Sequence, residues 1–273
     1  MDQTNTNIIK PQKRFGQNFL FNTNVLQRIA EICMDNDDLR DPSGVIIEIG
    51  PGKGYLTKYL VASSVNVISI EIDSQFSHIL DELKHANNNY DWMLADALKM
   101  DWRTMMAAKS IKTVVGNLPY NIATRIILDI CRASMSRCLF VIQEEVGQRI
   151  TASISTKEYS SLSVLIQAFF DVRLHMRIAP GNFHPKPTVQ SRLIELNLHT
   201  NTNRHPTEYH EYFDTLSKIL HDAFLHRRKN LGHAFLKKYP EFIDIIDPRM
   251  RAENIDVNTY KKMAQMKIDH AIL

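Results

Sequence analysis

Hydrophobic positions along the 273-residue chain change their period several times, and the changes outline its elements. After a polar start, Val25, Ile29, Ile32 and Cys33 recur at helical spacing. Pro42 to Gly44 interrupts that run, and Val45 to Ile49 follows as a short continuous apolar stretch, as expected of a strand covered on both faces. Helical signals come after Gly54. Strand Val65 to Ile70 leads to Glu71, a helix covers about Gln75 to Leu83, and a short strand near Trp92 to Ala95 stops at Asp96. Strand Thr113 to Gly116, helix Ile122 to Ile130, strand Cys138 to Ile142 and a helix from about Glu144 continue the rhythm. Such alternation predicts an α/β fold with a doubly wound, mainly parallel sheet. The pattern then shifts. Leu162 to Phe169 reads as a helix, while "DVRLHMRI" and "SRLIELNL" alternate as an antiparallel pair of strands at the end of the sheet would. His199 to His210 is polar and aperiodic, which predicts a linker. Beyond it only helices are expected, at Tyr212 to Phe224, Lys229 to Lys237 and about Val257 to Met266, giving a small all-helical C-terminal domain.

Composition narrows the class. A 44% hydrophobic fraction supports a full core. No apolar run reaches membrane-spanning length and the start lacks a secretory pattern, so a cytoplasmic protein with no membrane contact is expected. Cys33, Cys131 and Cys138 have no C-x-x-C spacing and lie in apolar segments, which predicts reduced core thiols and no metal site. The net charge of +3 is small, but its distribution is uneven. Lys10, Lys13 and Arg14 lie in an arm whose only acid is Asp2, and His226-Arg227-Arg228-Lys229 precedes Lys237-Lys238. Either run can be a solvated face; two of them flanking one domain point to phosphate-backbone contacts.

In an open parallel sheet, ligands bind at the carboxyl ends of the strands. The first strand ends in "EIGPGKGYLT", where Gly50, Gly52 and Gly54 let backbone approach a ligand closely. Tyr55 stands where a dinucleotide fingerprint needs its third glycine, and no Lys-Ser/Thr pair follows as in a P-loop. Glu71 ends the next strand, where a carboxylate accepts from ribose hydroxyls, and Asp96 ends the third, placed to receive an adenine amino group. The alternative for both acids is a helix N-cap. Together the pattern E-x-G-x-G-x-G and the acid after the next strand resemble the S-adenosylmethionine-dependent methyltransferases.

Asn117-Leu118-Pro119-Tyr120 ends the fourth strand. A turn is the plain reading. A chemical one exists: an exocyclic adenine nitrogen is a poor nucleophile, and an Asn oxygen with a Leu118 carbonyl held outward by Pro119 would accept its two N–H bonds and localise the lone pair. Tyr120 would offer a face for stacking. This tetrapeptide looks like the (N/D)-x-P-Y signature of amino methyltransferases, and its NLPY form resembles the ribosomal RNA adenine dimethyltransferases. "KRFGQNFL" (13–20), "QEEVGQRITA", "YSSLSVLIQ", "NFHPKPTVQS", "AFLHRRKNL" and "IDPRMRAENIDVNTY" resemble further segments of that family in the same order, from about residue 10 to 268.

That resemblance implies a Rossmann-like class I methyltransferase sheet with antiparallel end strands. It divides the chain into a basic N-terminal arm (1–20), an S-adenosylmethionine-binding methyltransferase domain (21–200) and a helical RNA-recognition domain (206–273). The implied reaction is N6,N6-dimethylation of two adjacent adenosines in a hairpin loop near the 3′ end of small-subunit (16S) rRNA, coupled to ribosome assembly. Its setting would be a pre-ribosomal 30S particle, with the chain as a monomer. Cofactor contacts are carried onto Asn18, Leu20, Gly50, Gly52, Gly54, Glu71, Asp96 and Asn117. Catalytic roles fall on Asn117, Leu118, Pro119 and Tyr120, with Phe183 stacking on the far face of the adenine; apart from the family, Phe183 reads as a loop anchor on the core. RNA contacts fall on Lys13, Arg14, Lys186, Arg227, Arg228 and Lys229. Two departures stand out: Arg125 replaces the proline of NLPYxIxxP, and Thr188 stands where lysine is common. Competing expectations are a large-subunit rRNA adenine methyltransferase of the antibiotic-resistance type, a non-enzymatic assembly factor and a DNA adenine methyltransferase.

Overall fold

The structure is a computed structural model that describes residues 11–36, 39, 43–199, 206–232 and 234–272. Lys10, expected in the basic arm, lies outside them. Two compact units divide the chain, one of residues 1–127, 137–144 and 175–194, the other of residues 128–136, 145–174 and 195–273. In chain order the elements are β1 (Phe19–Leu20), α1 (Thr23–Met34), β2 (Val45–Ile49), α2 (Thr57–Val61), β3 (Asn66–Glu71), α3 (Ser77–Ala86), β4 (Tyr90–Leu94), α4 (Trp102–Ala108), β5 (Ile111–Asn117), α5 (Ala123–Arg132), β6 (Arg137–Gln143), α6 (Glu144–Ile150), α7 (Ser161–Phe169), β7 (Phe170–Ile178), β8 (Phe183–His184), β9 (Ser191–Leu198), α8 (Pro206–Phe224), α9 (Phe235–Lys238) and α10 (Val257–Ile272).

A seven-stranded mixed sheet runs in the order β4-β3-β2-β5-β6-β9-β7. The neighbours β4/β3, β3/β2, β2/β5 and β5/β6 are parallel, in register from Val45↔Asn66 to Ile49↔Ile70 across the β2/β3 pair. Their apolar runs are buried on both faces: Ile46, Ile47, Val114, Val115, Leu139 and Phe140 are all 0% exposed. α1 begins where the Asn22 side chain accepts the Val25 N–H at 3.2 Å, and it buries Leu26, Ile29, Ala30 and Cys33. The three cysteines are buried.

In the second unit, Phe169 at the end of α7 meets the rings of Tyr209, Tyr212 and Phe213 on α8 at 5.1, 5.7 and 5.1 Å. That aromatic face explains why α8 starts at Pro206, inside the stretch expected to be linker: proline suits a first helical turn, and the tyrosines earn their burial through Tyr209 Oη to Cys131 O at 2.8 Å and Tyr212 Oη to Lys261 O at 2.9 Å. A helix over Lys229 to Lys237 does not form. Leu231 and Gly232 instead donate their N–H groups to Met250 O and Pro248 O, both at 2.9 Å, and α9 covers only Phe235–Lys238. β1 and β8, two residues each, pair antiparallel with Phe19↔His184 and Leu20↔Phe183. Elements that short leave no period in a sequence.

Candidate active site

The chain runs from β2 outward to β3 and β4, then returns to β5 on the other side of β2. Their carboxyl ends therefore diverge at a topological switch point, where α/β sheets bind ligands. A cavity of ≈ 230 Å³ opens there, within the first unit. Asn18, Gly50, Gly52, Glu71, Asp96, Asn117, Leu118, Pro119 and Tyr120 all line it, and Arg14 joins them.

Glu71 is 4% exposed, and its carboxylate gathers the loops. Oε2 accepts the Gly52 N–H at 2.9 Å, and Oε1 accepts those of Ile72 and Asp73, each at 2.9 Å. Burial raises its pKa above the ordinary carboxylate value, against the pull of these three backbone donors. A carboxylate has about four acceptor sites. Three are in use, which leaves one on Oε2. Gly52, at φ +52°, lies so close to the arm that a Cβ would stand 2.9 Å from Phe19 Cε1. Asp96 Oδ1 caps the following turn through Leu98 N at 3.0 Å, as the N-cap reading expects, and the residue also stands in the cavity wall.

Asn117 ends β5, and its Nδ2 donates to Asn18 O at 2.7 Å. The amide nitrogen is thereby committed, which leaves Oδ1 as its acceptor. Leu118 donates its N–H to Val141 O at 3.1 Å, and Pro119 O accepts from Ile122 N and Ala123 N at 3.1 and 2.9 Å, starting α5. Tyr120 Oη is 2.5 Å from Ser191 Oγ on β9. Burial pushes the Tyr120 pKa up despite that bond, so the phenol stays neutral.

Three expected site residues lie elsewhere. Leu20 and Phe183, 4% and 3% exposed, belong to the apolar core where β1 meets β8, so the loop-anchor reading describes Phe183 here and no stacking face reaches the cavity. Gly54 faces Leu83 of α3 and sits at φ +69°, a left-handed conformation that favours glycine whatever the neighbouring side chain does. Among the cations, Lys13 sits in a short 3-10 turn and Lys186 is exposed. Arg14 lies 4.5 Å over the Phe15 ring and donates Nε to Gln12 Oε1 at 2.8 Å. Arg228 and Lys229 are exposed, but Arg227 closes a clasp inside the second unit, donating to Glu253 Oε2 at 2.7 Å and to the carbonyls of Thr156 and Lys157 at 3.3 and 2.6 Å.

Glu48, the first residue of E-x-G-x-G-x-G, and Asp73, Gln17 and Ser191 carry contacts that the sequence assigned to none of them. Glu48 is 2% exposed within β2; its Oε2 accepts Thr57 Oγ1 at 2.7 Å and Ser69 Oγ at 2.8 Å, joining the glycine loop's helix to β3. Burial raises its pKa to about 7. The available signal was a lone acid inside "VIIEI". Among the described residues no group of three or more His, Cys, Asp or Glu side chains could hold a metal, and no helix is long and apolar enough to cross a membrane.

Comparison with known proteins matches this architecture. The family model for ribosomal RNA adenine dimethylase covers residues 8–269. Proteins named ribosomal RNA small subunit methyltransferase A from Ureaplasma parvum and Syntrophotalea carbinolica are 33% and 35% identical, over 93% and 96% of this chain and 92% and 99% of theirs. A solved dimethyladenosine transferase from Plasmodium falciparum superposes with a TM-score of 0.69 at 21% identity, covering 92% of this chain and 98% of that one. The 23S rRNA methyltransferase ErmE gives 0.65 at 22%, covering 91% and 98%. At such identities the two structures speak for the Rossmann-like fold.

Proposed function

This chain belongs to the ribosomal RNA adenine dimethylase family, and from that premise we propose that it converts two adjacent adenosines in a hairpin loop near the 3′ end of 16S rRNA to N6,N6-dimethyladenosine during small-subunit assembly. It is an rRNA adenine dimethyltransferase. Its methyl donor in this reading is S-adenosylmethionine, which supplies an electrophilic methyl group on a sulfonium. The cavity fits that group: Glu71 keeps one acceptor site for a ribose hydroxyl, Asp96 stands for the adenine end, and the backbone at Gly50 and Gly52 forms a wall free of side chains.

The observation that carries the reading is the Asn117 amide. With Nδ2 bonded to Asn18 O, the side-chain oxygen is oriented to accept, and no hydrogen bond to the Leu118 carbonyl occurs among the described residues. Two oxygens at one strand end suit the two hydrogens of an exocyclic amine. Accepting both favours a pyramidal nitrogen with its lone pair exposed, and holding it in line supplies most of the acceleration. Tyr120, neutral and fixed by Ser191, serves as a face for the base and not as a proton acceptor. The methylated nitrogen is acidic enough to lose its proton to water.

A base must leave its stack to reach such a site, which favours a loop over a duplex. Arg14, Lys13, Lys186, Arg228 and Lys229 would hold phosphates around it, with the division into arm (1–20), catalytic domain (21–200) and helical RNA-recognition domain (206–273), the monomeric state and cytoplasmic location forming part of the same proposal. The test is incubation of undermethylated small subunits with labelled S-adenosylmethionine, comparing Asn117→Ala with the parent and mapping the label. Label on small-subunit rRNA that is lost in the variant is expected; equal incorporation by both overturns the role of Asn117.

A further inference from the structure

The segment 12–18 crosses the cavity, and both of its ends are tied. Asp73, 3% exposed just after β3, accepts Gln12 Nε2 at 3.2 Å and Gln17 Nε2 at 2.8 Å, from residues 61 and 56 positions away. Gln75 adds its side-chain amide and, at 3.2 Å, its backbone N–H. Gln12 N donates to Gln17 Oε1 at 2.8 Å, closing the turn. No ion pair to Asp73 occurs among the described residues, so amide dipoles alone offset a buried charge, and two of the three side-chain amides belong to the segment.

On either side of Gln17 the segment also lies on the tetrapeptide turn. Gly16 sits at φ +60°, where a Cβ would be 2.8 Å from Asn121 Oδ1, and Asn18 O receives the Asn117 amide. Asp73 also donates its own N–H to Glu71 Oε1. One carboxylate therefore holds the strap at the cofactor end, while its backbone holds the acid beside it. We propose that Asp73 is a positioning residue: it latches residues 12–18 over the cavity, so that strap closure and cofactor retention form one equilibrium. The inference rests on the cofactor reading above for its second half only.

The latch has a polarity that substitution can reverse. Asp73→Asn keeps an oxygen to cap the following turn through Gln75 N but turns an acceptor of Gln17 into a donor. Gln17→Glu sets two carboxylate oxygens at that short contact. Combined, the two restore a donor facing an acceptor without changing shape. Trypsin cleavage after Arg14, followed without any cofactor, is expected to speed up in Asp73→Asn, more in Gln17→Glu, and to return toward the parent rate in the double variant. Gln17→Leu, which leaves residue 73 and its cap intact, should also speed cleavage. S-adenosylmethionine affinity by calorimetry should weaken about tenfold in each single variant, the scale of one charge-assisted hydrogen bond, and recover in the double. Unchanged cleavage in Asp73→Asn, or no recovery in the double, overturns the latch. Failure of the parent to bind S-adenosylmethionine would instead remove the cofactor reading, leaving the cleavage order to judge the strap by itself.

Discussion

Around the cavity, polar side chains are held by backbone groups of the loops that surround it, whereas in residues 226–229 neighbouring cations meet different fates. Glu71 is fixed by three N–H groups and Asn117 by one carbonyl, so each is pointed before any ligand arrives. In the basic run, Arg227 is held by Glu253 and two carbonyls while Arg228 and Lys229 face solvent. The difference teaches that a residue at a strand end has its direction set by the sheet, while a charge run tells the number of cations but not which of them is available.

The largest expected effect is at the cavity. Asn117→Ala removes the oriented oxygen, and the methylation rate should fall by about 10²-fold or more, as for the loss of one preorganised polar contact to a reacting group. Cofactor affinity measured by calorimetry should change far less. A comparable loss of cofactor binding would show that the amide serves the cofactor and not the base.

Next comes Glu48, which sharpens the contrast because it is a buried acid beneath the glycine loop that works for the fold. Its folded pKa of about 7 lies above the ordinary 4.5. Protons are therefore held more tightly in the folded state, so this group's contribution to stability is full below the unfolded pKa and is lost as pH rises through the folded one. Across that window the loss should be roughly 2–3 kcal/mol. Glu48→Gln keeps an oxygen for Thr57 and Ser69, both of which donate to one atom, and removes the titration. Denaturant melts of parent and variant at pH 5 and pH 8 should show their difference in stability shifting toward the variant at the higher pH. A difference independent of pH would mean that Glu48 ionises normally.

These cases explain what the sequence made legible. β2, β3 and β5 announce themselves because a parallel strand covered on both faces must be a continuous apolar run, and the residue ending each run falls at the cavity, where Asp96 arrives from the half-exposed edge strand β4. Thus Gly50, Glu71, Asp96 and Asn117 could be placed by counting. Gly54 could not, since its neighbour Leu83 comes from a helix one strand later. Phe183 was misplaced because its two-residue pairing with Leu20 has no period. Asp73 and Gln17 look like ordinary loop residues until the chain folds 56 positions back on itself. Residues 229–237 were equally opaque: Leu231 and Gly232 bond to residues 248–250, partners that no local pattern announces.

The basic run offers a test of intermediate size. Arg227→Ala should lower stability by about 1–2 kcal/mol in denaturant melts, since it leaves Glu253 and two carbonyls short of a donor at a half-exposed place. Arg228→Ala with Lys229→Ala should leave stability unchanged, weaken RNA binding and reduce the slope of log affinity against log salt by about 2. If the double variant keeps the parental slope, these cations do not meet phosphate, and the basic run is a solvated face.

The smallest effect is expected at Ser191, which joins the two kinds of residue by holding the cavity-lining Tyr120 side chain from a strand remote in sequence. Ser191 is buried and bonds Tyr120 Oη at 2.5 Å. Losing one neutral hydrogen bond is worth about 0.5–1.5 kcal/mol, so Ser191→Ala should raise KM for RNA between roughly twofold and tenfold with kcat and cofactor affinity near parental values. The split matters because Tyr120 is assigned to stacking: loosening the ring weakens the hold on the base without disturbing the acceptors at Asn117 and Leu118. Ser191→Thr, which keeps the hydroxyl, should recover part of the loss if the added methyl fits. An equal fall in kcat with unchanged KM would place Tyr120 in the methyl-transfer step itself.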